Sequence, residues 1–227
     1  DRHKSLVQKN FSKLLDAGFF EKKTTQQFYE KRVDGGGRFL PDRYVEGICP
    51  HCSFEKARGD QCDECGATYE SIELKSPTSK MNPGSEVTIK DTEHFFYRLD
   101  LFQSVLEEYA KNQHPIWKNN VRSMTKNWLK MGLRPRAVTR DLDWGVKLPL
   151  DDEEWVNKCI YVWFEAVQGY YSCSVIWANE FATNSNNPDG ANSWENWWKI
   201  PESGKPPRHL YFLGKDNIPC HTVIWPA

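Results

Sequence analysis

An α/β fold is predicted by three features of this 227-residue chain. Apolar residues recur at helical spacing through its first part, mostly apolar runs of strand length stand at 159–164 and 209–213, and the turn Gly214-Lys215-Asp216-Asn217 follows the second run directly. Such runs suit buried strands, and a strand, a glycine turn and a helix start form the ligand edge of an open α/β sheet. The length allows one large domain or a core domain carrying an insert. Apolar residues make up 39%, aromatics 14% and the net charge is -1, so the chain lies outside disordered compositions and buries a sizeable core.

The elements follow in order. Leu6, Val7, Phe11, Leu14 and Leu15 share one helical face and run into Gly18, a left-handed cap, so a helix opens the chain. Gly35-Gly36-Gly37 marks a break, Ser76-Pro77 and Asn82-Pro83-Gly84 are turn chemistry, and Val87 to Ile89 reads as a short strand. Leu99, Phe102, Leu106 and Tyr109 predict a second helix. Trp117, Val121, Met124, Trp128 and Met131 predict a third, ended by Gly132. After the two apolar strands, Pro219 to Trp225 begins a further helix.

Seven cysteines fall into two groups. Cys159, Cys173 and Cys220 are scattered through apolar segments, as reduced core thiols are. Cys49-Pro50-His51-Cys52 and Cys62-Asp63-Glu64-Cys65 instead form two C-x-x-C pairs within seventeen residues. Each pair sets two sulfurs on one side of a tight knuckle. Two facing knuckles place four thiolates at the corners of a tetrahedron, the closed shell of a structural zinc ion. One zinc (Zn2+) on Cys49, Cys52, Cys62 and Cys65 is therefore expected, with His51 pointing outward. From Cys49 to Lys75 three basic residues stand against six acidic ones, a poor surface for phosphates.

Positive charge gathers further on. From Lys111 to Arg140 there are eight basic residues and no acidic one. Lys118, Arg122, Lys126 and Lys130 form a stripe beside the apolar face of the third helix. A basic stripe is commonly a solvated face, but the complete absence of acids favours an anionic partner, with RNA backbone the natural one. Ten tryptophans, seven of them at or beyond Trp155, set the C-terminal third apart. The longest apolar run, Cys159 to Phe164, is far below the ~18 residues of a membrane span. The start, Asp1 to Ser5, leads into an amphipathic segment without the layout of a secretory signal. A cytoplasmic chain with no membrane partner is expected.

Longer stretches are more specific. Residues 38–47 (RFLPDRYVEG), 57–62 (ARGDQC) and 91–96 (DTEHFF) flank the knuckles, while 139–141 (TRD), 161–166 (YVWFEA), Gly169-Tyr170, 212–217 (FLGKDN), His221 and 224–227 (IWPA) follow in the second half. In this order they resemble the methionyl-tRNA synthetase family of class I aminoacyl-tRNA synthetases over essentially the whole chain. The resemblance implies ATP-dependent activation of methionine to methionyl-adenylate and transfer to tRNA. Methionine, ATP with Mg2+ and tRNA(Met) are the partners of the complete enzyme, and DNA is not. It implies a methionine pocket lined by Trp163, Ala166, Val167 and Tyr170 and closed by Cys220, His221 and Trp225. It also implies an adenosine shelf at Gly214 and Asp216, and Arg140 as a catalytic group in an ion pair near the amino acid.

The resemblance further implies the architecture. A helical segment of the catalytic domain spans 1–33, a zinc-binding connective insert 34–96, amphipathic helices 97–136, and the second half of a Rossmann-like catalytic domain 137–227. Three departures stand out. Cys220 replaces a common phenylalanine, Val167-Gln168 replaces proline-isoleucine, and Ser79 and Asn82 stand where some members carry further cysteines, so a single zinc is expected. The family's amino-terminal histidine motif is absent, and Lys80 to Gly84 is no substitute for its lysine-serine loop. The chain is thus expected to be an internal fragment, inactive by itself. A stand-alone zinc-knuckle module that binds RNA without catalysis is the alternative.

Overall fold

The computed structural model describes residues 2–31, 36–59, 62–65, 69–181 and 190–227, apart from the side chains of residues 42, 191 and 216. In chain order the elements are α1 (Arg2–Asp16), β1 (Phe20–Lys31), β2 (Gly37–Phe39), β3 (Val45–Ile48), β4 (Ala57–Arg58), β5 (Lys75–Ser79) and β6 (Val87–Tyr97). There follow α2 (Gln103–Gln113), α3 (Asn119–Lys130), β7 (Arg136–Ala137), β8 (Thr139–Asp141), β9 (Lys158–Ile160), α4 (Val162–Ala166), α5 (Gly169–Glu180) and α6 (Glu195–Trp198). No described helix is long and apolar enough to cross a membrane.

The first three helices form where the apolar spacing places them. Gly18 (φ 77°) and Gly132 (φ 78°) end α1 and α3 in the left-handed region that glycine enters at least cost. Three strand expectations are corrected. The strand predicted at Val87 to Ile89 continues to Tyr97. The run 159–164 is strand only over Lys158–Ile160 and turns into α4 at Val162. The run 209–213 forms no strand at all, with Leu210 66% and Phe212 97% exposed. Apolar composition supplies no ladder partner, and none of the described strands lies beside this segment to satisfy its backbone. Beyond Pro219 the chain winds as a π-helical turn, Cys220–Ile224. Of the predicted glycine break, Gly35 lies outside the described residues.

The chain divides into two compact units, one of Asp1–Phe20, Tyr97–Arg136 and Ile160–Ala227, the other of Glu21–Phe96 and Ala137–Cys159. In the first, α1 packs on α5. Val7 and Phe11 are fully buried, Phe11 stacks 4.8 Å from Phe20, and Asn10 donates to the Gln168 side chain at 2.9 Å. Leu106 of α2, Leu129 of α3 and Val223 of the π-turn form a second core. There the Thr125 hydroxyl donates to Thr222 Oγ1 at 2.9 Å, whose own hydroxyl donates to the Ile218 carbonyl at 3.0 Å, so both buried hydroxyls are satisfied.

The second unit is built on a four-stranded sheet, β2-β1-β6-β7, and a three-stranded sheet, β4-β3-β5. β1 pairs antiparallel with β2, and β3 with both β4 and β5. Its core joins Phe28, Leu40, Val45, Ala57 and Leu74 with Cys49 and Cys62. Near β8 and β9 the core is polar. Lys158 Nζ donates to Asp141 Oδ1 at 2.6 Å and to Thr92 Oγ1 at 2.7 Å, and the Thr92 hydroxyl donates to Asp141 Oδ2 at 2.9 Å. His94 is 1% exposed. Its Nε2 stands 3.2 Å from Asp141 Oδ2 without the alignment of a hydrogen bond, while Nδ1 lies 3.0 Å from Thr139 Oγ1.

This cluster is expected to make the unit acid-labile. Burial holds the His94 pKa below its usual value, outweighing the pull of Asp141. Between that lowered value and the ordinary ~6.5 the unfolded chain binds more protons than the folded one, so stability falls as pH falls. Burial opposes the Asp141 charge too, but His94 and Lys158 outweigh it and lower its pKa. Its contribution is present above the ordinary ~3.9 and is lost as pH falls through the folded value. Thermal melts are expected to lose midpoint steadily below about pH 6.5, and His94→Gln to remove the upper part of that slope. A midpoint flat from neutrality to pH 5 would contradict this.

Candidate functional site

The two cysteine knuckles face each other. Cys49 and Cys65 Sγ are 3.9 Å apart, Cys52 and Cys62 Sγ are 3.6 Å apart, and all four sulfurs lie within 4.8 Å of one another. A tetrahedral site with metal–sulfur bonds of ~2.3 Å requires sulfurs ~3.8 Å apart, so the donor set fits one tetrahedral ion. The backbone N–H groups of His51 and Cys52 donate to Cys49 Sγ at 3.4 and 3.5 Å. Burial opposes the Cys49 thiolate, but those two donors prevail and lower its pKa to about 6. At Cys52 the Phe54 backbone N–H favours the thiolate, but burial and the neighbouring sulfurs outweigh it and push the thiol up. Four thiolates so close need a cation among them.

A second turn has the same local geometry but closes on a carboxylate. Met81 and Asn82 N–H both donate to Ser79 Oγ at 3.2 Å, as His51 and Cys52 do to Cys49. The Ser79 hydroxyl and Asn82 amide then donate, at 2.5 and 2.9 Å, to the fully buried carboxylate of Glu30. Arg38 Nε adds a charged donor at 2.5 Å. Burial disfavours the Glu30 charge, yet Ser79 and Arg38 outweigh it and keep the carboxyl below its usual pKa. This turn is closed on an anion by hydrogen bonds and leaves no donor set for a metal.

The C-terminal aromatic residues converge within the first unit. The π-turn lies against α4. His221 Nδ1–H donates to the Asn217 carbonyl at 2.9 Å, which leaves Nε2 to accept from the Tyr170 hydroxyl at 3.0 Å. Trp225 Nε1–H donates to the Tyr211 hydroxyl at 3.3 Å, and the Tyr211 ring stands 5.1 Å from both Tyr170 and His221. Trp198 closes on Trp225 at 5.9 Å and on His209 at 4.5 Å. Tyr170, His221 and Trp225 are thus brought together. The sequence reading missed Tyr211, Trp198 and His209, and only the excess of C-terminal aromatics hinted at them.

The other singled-out residues are placed as follows. Val167 is buried after α4, Ala166 ends that helix, Cys220 is half-buried in the π-turn, and Trp163 is 42% exposed on α4. Gly214 caps the short 3-10 turn Lys215–Asn217. The expectation for Asp216 concerns a side chain outside the described residues. Arg140, in the second unit, donates to the carbonyls of Thr139 and Ala137 at 2.8 and 3.2 Å. Arg122, Lys126 and Lys130 line a groove between α2 and α3, whereas Lys118 sits at the N-cap of α3 and does not line it.

Residues 1–227 match the family model described as tRNA synthetases class I (M). The chain is 45% identical over 229 residues to the methionine–tRNA ligase of Roseiflexus castenholzii, covering all of this chain and 37% of that protein. It is 46% identical over 225 residues to the methionine–tRNA ligase of Thermoplasma volcanium, covering 99% and 38%. It therefore spans little more than a third of the length of these relatives. Its fold is similar to that of Mycobacterium tuberculosis methionyl-tRNA synthetase in complex with methionyl-adenylate, with TM-score 0.57 and 20% identity over 99% of this chain and 34% of that one. With the family model matched from end to end, the chain belongs to the class I tRNA synthetases, in the methionine group.

Proposed function

We propose that the chain is the part of a methionine–tRNA ligase that carries a zinc knuckle and one wall of the methionine pocket. The reading rests on its 45% identity, over its whole length, to a methionine–tRNA ligase. No observation favours the stand-alone RNA module. In this reading residues 34–96 are the connective insert and 137–227 the second half of the catalytic domain. Cys49, Cys52, Cys62 and Cys65 hold one structural Zn2+. The complete enzyme, at work in the cytoplasm, uses methionine, ATP with Mg2+ and tRNA(Met).

The aromatic cluster suits a thioether. Sulfur packs favourably against aromatic rings, and Trp163, Tyr170 and Trp225 with Ala166 and Val167 supply flat and small apolar surface. His221, held by Asn217 and Tyr170, fixes the Tyr170 ring at the pocket edge. Gly214 and Asp216 serve the adenosine, and Arg140 takes the catalytic ion-pair role that the family resemblance implies. Arg122, Lys126 and Lys130 face tRNA, with Lys118 outside their groove.

Grafting this chain in place of the matching segment of the Roseiflexus castenholzii ligase tests the reading. The chimera is expected to catalyse methionine-dependent pyrophosphate exchange, and Trp225→Ala within it to raise KM for methionine about tenfold or more, since a buried aromatic wall is worth ~1.5–3 kcal/mol. The isolated chain is expected to show no exchange, because electrostatic stabilisation of the transferring phosphate supplies most of such a rate enhancement and no residue assigned here holds that phosphate. An inactive but folded chimera, or robust exchange by the isolated chain, would overturn this assignment.

A further inference from the structure

Several cations among the described residues are paired with carboxylates. Lys22 meets Glu154 at 2.7 Å, Lys31 meets Glu86 at 2.9 Å, Lys158 meets Asp141 at 2.6 Å and Lys199 meets Glu195 at 2.7 Å. The groove between α2 and α3 differs. It measures about 920 Å³, and Lys111, Arg122, Lys126 and Lys130 all line it. Among the described residues none of these four has a carboxylate within ion-pair distance. Arg122 instead donates to the His114 carbonyl at 3.1 Å and to the Asn119 side-chain oxygen. The one carboxylate in the lining, Glu107, accepts from Gln103 Nε2 at 2.5 Å.

The same groove has an aromatic wall. Trp117 lines it, half-buried, with the Tyr109 ring set edge-on at 5.6 Å and 75°. Four unneutralised cations beside an aromatic ring are the two components of a single-strand site: charge that follows a phosphate backbone, and a platform on which a base stacks. A ring face is open to stacking only by a base that is not already stacked in a duplex, so the Trp117 wall favours a single strand.

We propose that this groove seats a single-stranded stretch of RNA, one base stacking on Trp117 while its phosphates run along Arg122, Lys126 and Lys130. The ligase reading enters only in naming tRNA as the source of that strand. RNA binding by the isolated chain and pyrophosphate exchange by the chimera are separate readouts, so one can fail without the other.

Fluorescence anisotropy with a short labelled, unstructured oligoribonucleotide tests this across a salt series. The single strand is expected to bind about tenfold tighter than a blunt RNA duplex of the same length. Lys126→Glu with Lys130→Glu is expected to weaken binding and flatten the salt slope by about 2, whereas Lys118→Glu changes the slope by less than about 1. Trp117→Ala is expected to cost about tenfold with the slope unchanged, and Trp117→Phe, which keeps the packing on Tyr109, to retain most of the affinity. Equal competition by duplex, or full displacement by inorganic tripolyphosphate at matched charge, would overturn the single-strand assignment and leave a general anion surface. Absence of binding at low salt would reduce the stripe to a solvated face.

Discussion

Stripping zinc from the chain, or replacing Cys62 with serine, is expected to unfold the two knuckles with β4 and the adjoining end of β3 while leaving the Ser79–Asn82 turn folded. Cys49 and Cys62 are fully buried members of the core that holds Val45, Ala57 and Leu74. The sulfurs that would bind the ion are therefore also the packing atoms of the sheet. Structural zinc in small knuckles contributes ~10–16 kcal/mol of apparent binding energy, which is folding energy where no preformed site survives without metal. The Ser79 turn depends instead on Glu30 and Arg38.

Hydrogen exchange separates the two. Without metal the His51 and Cys52 amides, which donate to Cys49, should exchange freely, whereas those of Met81 and Asn82 keep their protection. Elemental analysis should give one zinc per chain for the natural sequence. A Cys62→Ser variant with full zinc, or loss of protection at all four amides together, would show the assignment wrong.

Asp141→Ala is expected to cost about 3–5 kcal/mol, the usual cost of removing one partner from a buried ion pair. Lys158 is 7% exposed, and its ammonium would keep only neutral neighbours of those described, the Thr92 hydroxyl and the Trp155 ring at 5.8 Å. At ~2–4 °C per kcal/mol for a chain of this size, the melting midpoint should fall by roughly 10 °C. Adding Lys158→Met should restore much of the loss, because replacing both charges with packed apolar atoms is often neutral or stabilising. A double variant less stable than Asp141→Ala alone would mean that the lysine is needed for something other than its pairing with Asp141.

What was legible in the sequence was local. The spacing of Val7 and Phe11, of Leu106 and Tyr109, and of Val121 and Trp128 specifies helices whatever surrounds them, and a C-x-x-C turn is complete within four residues. Lys158 reads as an ordinary polar start to an apolar run. Its partners Asp141 and Thr92 stand 17 and 66 residues away, and no periodicity links them. The misread strand at 209–213 has the same origin, since strand formation depends on a neighbour and composition does not report one. Tyr211 was hidden inside that apolar run. Its hydroxyl matters only because Trp225, 14 residues on, turns back to meet it.

On the ribosome, α1 emerges long before its packing partners. His3 meets Ser172 and Asn10 meets Gln168 across 169 and 158 residues. At ~5–20 residues per second those partners follow roughly ten to thirty seconds later. During that wait Val7 and Phe11, fully buried in the finished fold, lack α5, on which α1 packs. Segments 21–96 and 137–159, which form the unit that encloses the knuckles, are complete in the chain before α5 is. The opening helix must remain soluble as an amphipathic tether until α5 is made. Translation speed between residues 20 and 170 is therefore expected to bear on the yield of folded protein.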